Sequence, residues 1–95
     1  MEIKEFQQLM HDLYVHNDKR RGANATMLWL VEEVGELAEA VRRNNKQNIR
    51  EELADCFAWL GALANLYDIN LETAFLEKYP LKCPTCGENP CVCTD

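Results

Sequence analysis

The sequence predicts an all-α protein, a four-helix bundle completed by oligomerisation and carrying a short C-terminal cysteine-rich tail. Three observations predict it. Apolar residues recur at i, i+3, i+4 spacing over most of the chain, the period of an amphipathic helix. Outside the tail, no stretch alternates apolar and polar residues as a half-buried strand does. The chain has 95 residues, enough for one domain that buries only about 60–65% of its unfolded surface. A partner subunit, a metal or very tight packing is therefore expected to complete it. Residues 1–80 make the expected helical domain and residues 81–95 the tail.

The first helix carries Ile3, Phe6, Leu9, Met10, Leu13 and Tyr14 on one stripe. A polar basic loop with Lys19, Arg20, Arg21 and Gly22 is expected after it. The second helix runs from about Ala25 to Arg43, with Met27, Leu30, Val31, Val34, Leu37, Ala38 and Val41 as its core stripe, and Asn44-Asn45 breaks it. Asn48 and Glu51 have capping-box spacing for a third helix that reaches about Tyr67. Asn70 is the expected N-cap of a fourth, short helix bearing Leu71, Ala74, Phe75 and Lys78, which Pro80 ends.

Composition narrows the function classes. Apolar residues make up 47% and charged residues 27%, a globular balance. The net charge is −6, so no basic excess favours binding a nucleic-acid polymer; such a chain suits divalent cations better. No apolar run approaches the length of a membrane-spanning helix. Met1-Glu2-Ile3-Lys4-Glu5 lacks the apolar segment of a signal peptide, and a cytoplasmic location is expected.

Four of the five cysteines, Cys83, Cys86, Cys91 and Cys93, crowd into the tail. In a reducing compartment such clusters serve as metal ligands more often than as disulfides. Cys83-Pro84-Thr85-Cys86-Gly87 has the form of a zinc-knuckle turn, while the second pair, Cys91-Val92-Cys93, is more closely spaced than is usual. Zinc in a structural role is the expected occupant; a disulfide-linked or frayed tail and an iron–sulfur site are the alternatives. Cys56 reads as a small core hydrophobe.

The acids of the second and third helices form a pattern. At about 100° per residue, Trp29, Glu33 and Glu36 share one side of the second helix, away from Val34. Glu52, Asp55 and Trp59 share one side of the third, which Ala62, Leu63 and Leu66 continue, while Leu53, Phe57, Leu60 and Ala64 occupy its opposite face. An antiparallel hairpin turning at Asn44 pairs Trp29 with Trp59, Glu33 with Asp55 and Glu36 with Glu52. Four carboxylates in one partly buried patch require neutralisation. Hard oxygen donors at high negative charge call for Mg²⁺ or Mn²⁺.

At these residues the sequence resembles the MazG-like nucleoside triphosphate pyrophosphohydrolases, an all-α group whose pattern is EExxE on one helix and ExxD on the next. The matching segments are Glu32-Glu33-Val34-Gly35-Glu36, within Glu33-Val34-Gly35-Glu36-Leu37-Ala38-Glu39, and Glu52-Leu53-Ala54-Asp55. The resemblance covers about residues 24–79 and leaves the cysteine tail outside. Lys78-Tyr79 matches a Lys–aromatic pair of the family, but Leu76 stands where many members carry Asn.

The resemblance implies metal-dependent cleavage of a nucleoside triphosphate between the α and β phosphates, giving a monophosphate and pyrophosphate. It also implies homodimers or homotetramers. Glu33, Glu36, Glu52 and Asp55 are the implied Mg²⁺ ligands; Glu32 is a candidate to orient water or serve a second ion, with a salt bridge or solvent contact as the alternative. Phosphate charge left uncovered calls for cations, for which Lys19, Arg20, Arg21 and Lys78 are the candidates; a solvated loop is the alternative for the first three. Trp29 and Trp59 are candidates for stacking on the base, with packing in the bundle as the alternative. Two other functions remain open: a phosphoribosyl-ATP pyrophosphohydrolase-like relative, and a non-catalytic helical interaction module with a zinc tail.

Overall fold

Gly22 alone separates the first two helices. In the computed structural model, which describes residues 1–94, α1 spans Ile3–Arg21 and α2 spans Ala23–Arg42. Gly22 has φ +86°, a conformation that costs a residue with a Cβ far more than glycine. Its amide donates to Asp18 O at 2.9 Å and closes α1. Lys19, Arg20 and Arg21 are therefore the last turn of α1 and not the expected loop. Cations are favoured there by the negative end of the helix dipole, so the run that reads as a solvated loop is equally suited to a helix end.

The second connection turns on two asparagines. Asn44 takes φ +54°, and Asn45 caps α3 (Lys46–Leu66), its side chain accepting from Asn48 N at 3.1 Å. The expected Asn48/Glu51 box lies inside the helix, because Asn45 already supplies the cap three residues earlier. The last helix, α4 (Leu71–Lys78), begins as expected at Asn70, whose side chain accepts from Thr73 N at 3.0 Å. The described residues contain these four helices and no strand. Among the described residues no helix is long and apolar enough to cross a membrane.

Helix α3 is the centre of the molecule: α2 packs along one side of it and α1 along another, while α4 leans on α1. Phe6 of α1 stacks on Phe57 of α3 with centroids 4.1 Å apart. Gly61 permits this approach, since a Cβ there would lie 2.7 Å from Phe6 Cζ. Gln7 ties three elements together. Its Nε2 donates to Asn65 Oδ1 (2.9 Å) and to Ile69 O (2.6 Å), and its Oε1 accepts from Leu71 N at 2.9 Å.

The core of one chain is small. Its buried apolar residues are Phe6, Leu30, Ala40, Cys56, Ala62 and Ala64, so Cys56 is the core residue the sequence suggests. The expected core stripe of α2 is only partly used. Leu30 is buried and Leu37 half-buried, but Met27, Val31, Val34, Ala38 and Val41 are exposed. The buried and half-buried positions of α2 include Thr26, Leu30, Glu33, Leu37 and Ala40, at alternating four- and three-residue spacing, the spacing of a helix–helix seam. On α3, Leu53, Phe57 and Leu60 also remain about half exposed. The surface of the chain is 7206 Å², whereas a compact monomer of 11.0 kDa exposes about 5,600 Å². Its radius of gyration is 15.6 Å, against about 12.4 Å for a compact domain of this length.

Candidate active site

The α2–α3 seam brings the motif acids together. Helix periodicity puts Glu33 and Glu36 one turn apart on α2, and the antiparallel return of α3 sets Glu52 against them. Carboxylate oxygens of Glu33, Glu36 and Glu52 all lie within 4.8 Å of one another. Glu33 and Glu52 are half-buried, and one oxygen of each, Oε2, is buried with no hydrogen-bond partner. Asp55 is exposed and stands outside this close trio, as does Glu32.

Like charges held this close resist ionising together. The neighbouring Glu52 charge raises the pKa of Glu36, with burial and Glu32 adding to it. Burial raises that of Glu52, and the neighbouring charges of Glu33 and Asp55 add to the rise. Further along α2, Glu39 is the opposite case: hydrogen bonds from Arg42 and Arg43 hold its carboxyl down to about 2. Glu39 is thus neutralised by its own helix, whereas no ion pair among the described residues satisfies Glu33, Glu36 or Glu52. A trio of unpaired carboxylates with buried, unpartnered oxygens fits a hard divalent cation that accepts oxygen ligands.

The tryptophans meet as the hairpin register requires. Trp29 and Trp59 stack with centroids 6.0 Å apart and planes 7° from parallel. The Arg21 guanidinium lies over the Trp59 ring at 4.7 Å. Its Nη1 also donates to Asp18 Oδ1 at 2.9 Å and to Thr26 Oγ1 at 3.3 Å. Asp18 is only 2% exposed; burial raises its pKa, and the charges of Arg21 and His16 oppose the rise. Met10, Tyr14, Asn17, Asp18, Arg21 and Trp59 border a cavity of about 330 Å³ beside this cluster. Sequence reading misses Asp18 altogether; its one signal is the i, i+3 spacing to Arg21.

The remaining candidate cations make no ion pair with the motif acids. Lys19 and Arg20 are exposed, with Arg20 bonded to Asn17 Oδ1 at 3.1 Å. Lys78 lies on α4, its Nζ 5.8 Å from the Tyr79 ring centre.

In the tail, the Sγ atoms of Cys83, Cys86, Cys91 and Cys93 all lie within 4.8 Å of one another, and no disulfide joins them. Amide donors from Cys86 and Thr85 lower Cys83 to about 6, while hydrogen bonds with Cys91 and Cys83 raise Cys93 to about 11. The four sulfurs are a donor set able to hold a metal.

Fold and site define an all-α protein with an acidic centre on a helical hairpin. Residues 21–87 match the family model of the MazG nucleotide pyrophosphohydrolase domain, and the chain belongs to this family. The match runs beyond the 24–79 read from the motifs and takes in Cys83 and Cys86. No curated protein matches the chain.

Proposed function

We propose that this protein is a divalent-cation-dependent nucleoside triphosphate pyrophosphohydrolase, converting NTP or dNTP to the monophosphate and pyrophosphate. The observation that carries the reading is the trio Glu33, Glu36 and Glu52, unpaired and partly buried, in a chain of the MazG family. These three, joined by Asp55, hold Mg²⁺ or Mn²⁺. An ion held there would supply charge neutralisation and water activation. Glu32, exposed beside the trio, orients the attacking water. Lys19, Arg20 and Lys78 meet phosphate charge the ion leaves uncovered. Arg21, already engaged with Asp18 and Trp59, acts on the base side, where Trp29 and Trp59 offer stacking surfaces. Such a reaction depends on positioning and charge stabilisation more than on covalent chemistry. The tail thiols take no step in it, because zinc in a tetrathiolate shell has no open position for water or phosphate.

The active form is a homodimer or homotetramer in the cytoplasm, acting on free nucleotides and not on a nucleic-acid polymer. The excess surface of the single chain and the exposed residues Val31, Val34, Leu53 and Leu60 support an assembly that buries them. The decisive experiment measures pyrophosphate release from a panel of ribo- and deoxyribonucleoside triphosphates with Mg²⁺. Release that needs the cation and stops with chelator is expected; no release from any nucleotide would overturn the reading.

A further inference from the structure

The tail has little apolar reason to fold. Leu81 and Val92 are largely exposed, and residues 79–94 contain no helix or strand. Its order rests on local polar contacts. Cys83 N donates to Glu88 O at 3.0 Å and Gly87 N returns to Cys83 O at 2.8 Å, closing a knuckle in which Gly87 takes φ +76°. Asn89 Nδ2 bonds Leu81 O at 3.1 Å. Contacts so few and so solvated do not hold four thiol side chains on one point by themselves, because ordering each residue costs about 1–2 kcal/mol of backbone entropy.

The sulfur geometry supplies the missing cause. A tetrahedral zinc with Zn–S bonds of about 2.3 Å has S···S edges of about 3.8 Å. Cys83 Sγ and Cys93 Sγ are 3.7 Å apart, and Cys86 Sγ and Cys91 Sγ are 4.0 Å apart. The close contacts thus join one thiol of the first pair to one of the second, so both pairs contribute to a single centre. Backbone amides point at the sulfurs: Val92 N is 3.5 Å from Cys86 Sγ and Cys93 N is 3.3 Å from Cys91 Sγ. Such N–H···S contacts stabilise thiolate charge on a ligating sulfur.

We infer that Cys83, Cys86, Cys91 and Cys93 form a structural zinc site, and that zinc binding is what folds residues 81–94. The site does not depend on the pyrophosphohydrolase reading. It shares no ligand with the acidic trio, and the chemistry of the two sets differs: thiolates select zinc, while carboxylates suit Mg²⁺ or Mn²⁺. Because metal binding and local folding are one equilibrium, removing zinc is expected to release the tail and leave the helices intact.

The test is elemental analysis of the full chain produced with zinc and purified without chelator, run beside Cys86→Ser, Cys91→Ser and Glu36→Gln. About one zinc per chain is expected in the unaltered protein and in Glu36→Gln, and near zero in both serine variants, with their helical circular dichroism unchanged. Cobalt substitution of the unaltered protein should give thiolate-to-metal charge transfer and the visible bands of a tetrahedral site. Trypsin should cut after Lys82 only once zinc is stripped. Zinc retained by the serine variants or lost from Glu36→Gln, an iron–sulfur chromophore, or a metal-free protein with four titratable tail thiols would each overturn the assignment.

Discussion

Trp29 and Trp59 face one another nearly in parallel, 6.0 Å between centroids, across the hairpin that carries the acidic trio. Each is one helical turn from a motif acid, Glu33 on α2 and Asp55 on α3. Arg21 over Trp59 adds a cation to this end of the site. Stacking on a base is worth about 1–3 kcal/mol per contact, and phenylalanine keeps only part of that surface. Trp59→Phe and Trp29→Phe are therefore expected to raise KM several-fold with little change in melting temperature. Steady-state kinetics beside thermal unfolding checks this. A lower melting temperature at constant KM would make both indoles packing residues.

The ligand assignment predicts a different pattern. Glu36→Gln and Asp55→Asn remove a cation-binding oxygen but leave size and shape almost unchanged. Cation-dependent activity is expected to fall below detection in each, with helical content preserved. Glu36→Gln should also raise the melting temperature of the metal-free protein, since it removes one of three crowded like charges. Calorimetry without added cation measures that effect, and full activity in either variant would contradict the assignment.

The hairpin register was legible because two periodicities must agree: acids and tryptophans at helical spacing on each helix, and a turn at Asn44-Asn45 that pairs them. The face of α2 that packs on α3 was less so. Helix α2 carries apolar residues on more than one face, and periodicity cannot distinguish a face covered by α3 from one left for another chain. Val31 and Val34 were thus expected in the core, whereas the seam runs through Leu30, Glu33 and Leu37. The end of α1 was missed because one glycine suffices to separate two helices, and a basic last turn has the composition of a loop. Asp18 was missed because a single acid on an amphipathic helix carries no pattern, although its burial fixes Arg21.

Assembly gives the next test. Val31 is 56% and Val34 49% exposed on α2, on the side away from Glu33. If a second subunit covers them, Val31→Lys or Val34→Lys places an ammonium in an apolar interface and leaves the isolated chain almost undisturbed. Light scattering at low micromolar concentration should show a dimer or tetramer for the unaltered protein and a smaller species for either variant. A well-folded monomer before substitution would refute the arrangement.

Proton linkage follows from the raised pKa values of Glu36 and Glu52. Both carboxyls bind protons more tightly folded than unfolded, so their favourable contribution is complete below the ordinary value of 4.5 and is lost as pH rises through the folded values. Glu39 acts the other way, but only as pH falls from its ordinary value of 4.5 toward about 2. Metal-free protein should therefore lose stability as pH climbs from about 4.5 toward neutrality. Mg²⁺ should restore it at neutral pH by binding the ionised trio. Melting curves across that range check the sign, and Glu52→Gln should flatten the slope.

Gly61 tests the α1–α3 packing that supports the hairpin. A Cβ at this position would sit 2.7 Å from Phe6 Cζ and 3.1 Å from its Cε2. Phe6 cannot swing away freely, because its ring is buried and stacked on Phe57 at 4.1 Å. Alanine favours the helix over glycine by about 1 kcal/mol, but overpacking costs about 1–3 kcal/mol. Gly61→Ala is thus expected to be net destabilising, by up to about 2 kcal/mol, despite its better helix propensity. Phe6→Leu alone should also destabilise, by leaving space beside Phe57. Combined, the two changes should cost less than their sum, because the smaller side chain makes room for the new methyl group. Denaturant unfolding of the two single variants and the double variant measures the coupling. A coupling near zero would mean that Gly61 and Phe6 do not set each other's packing.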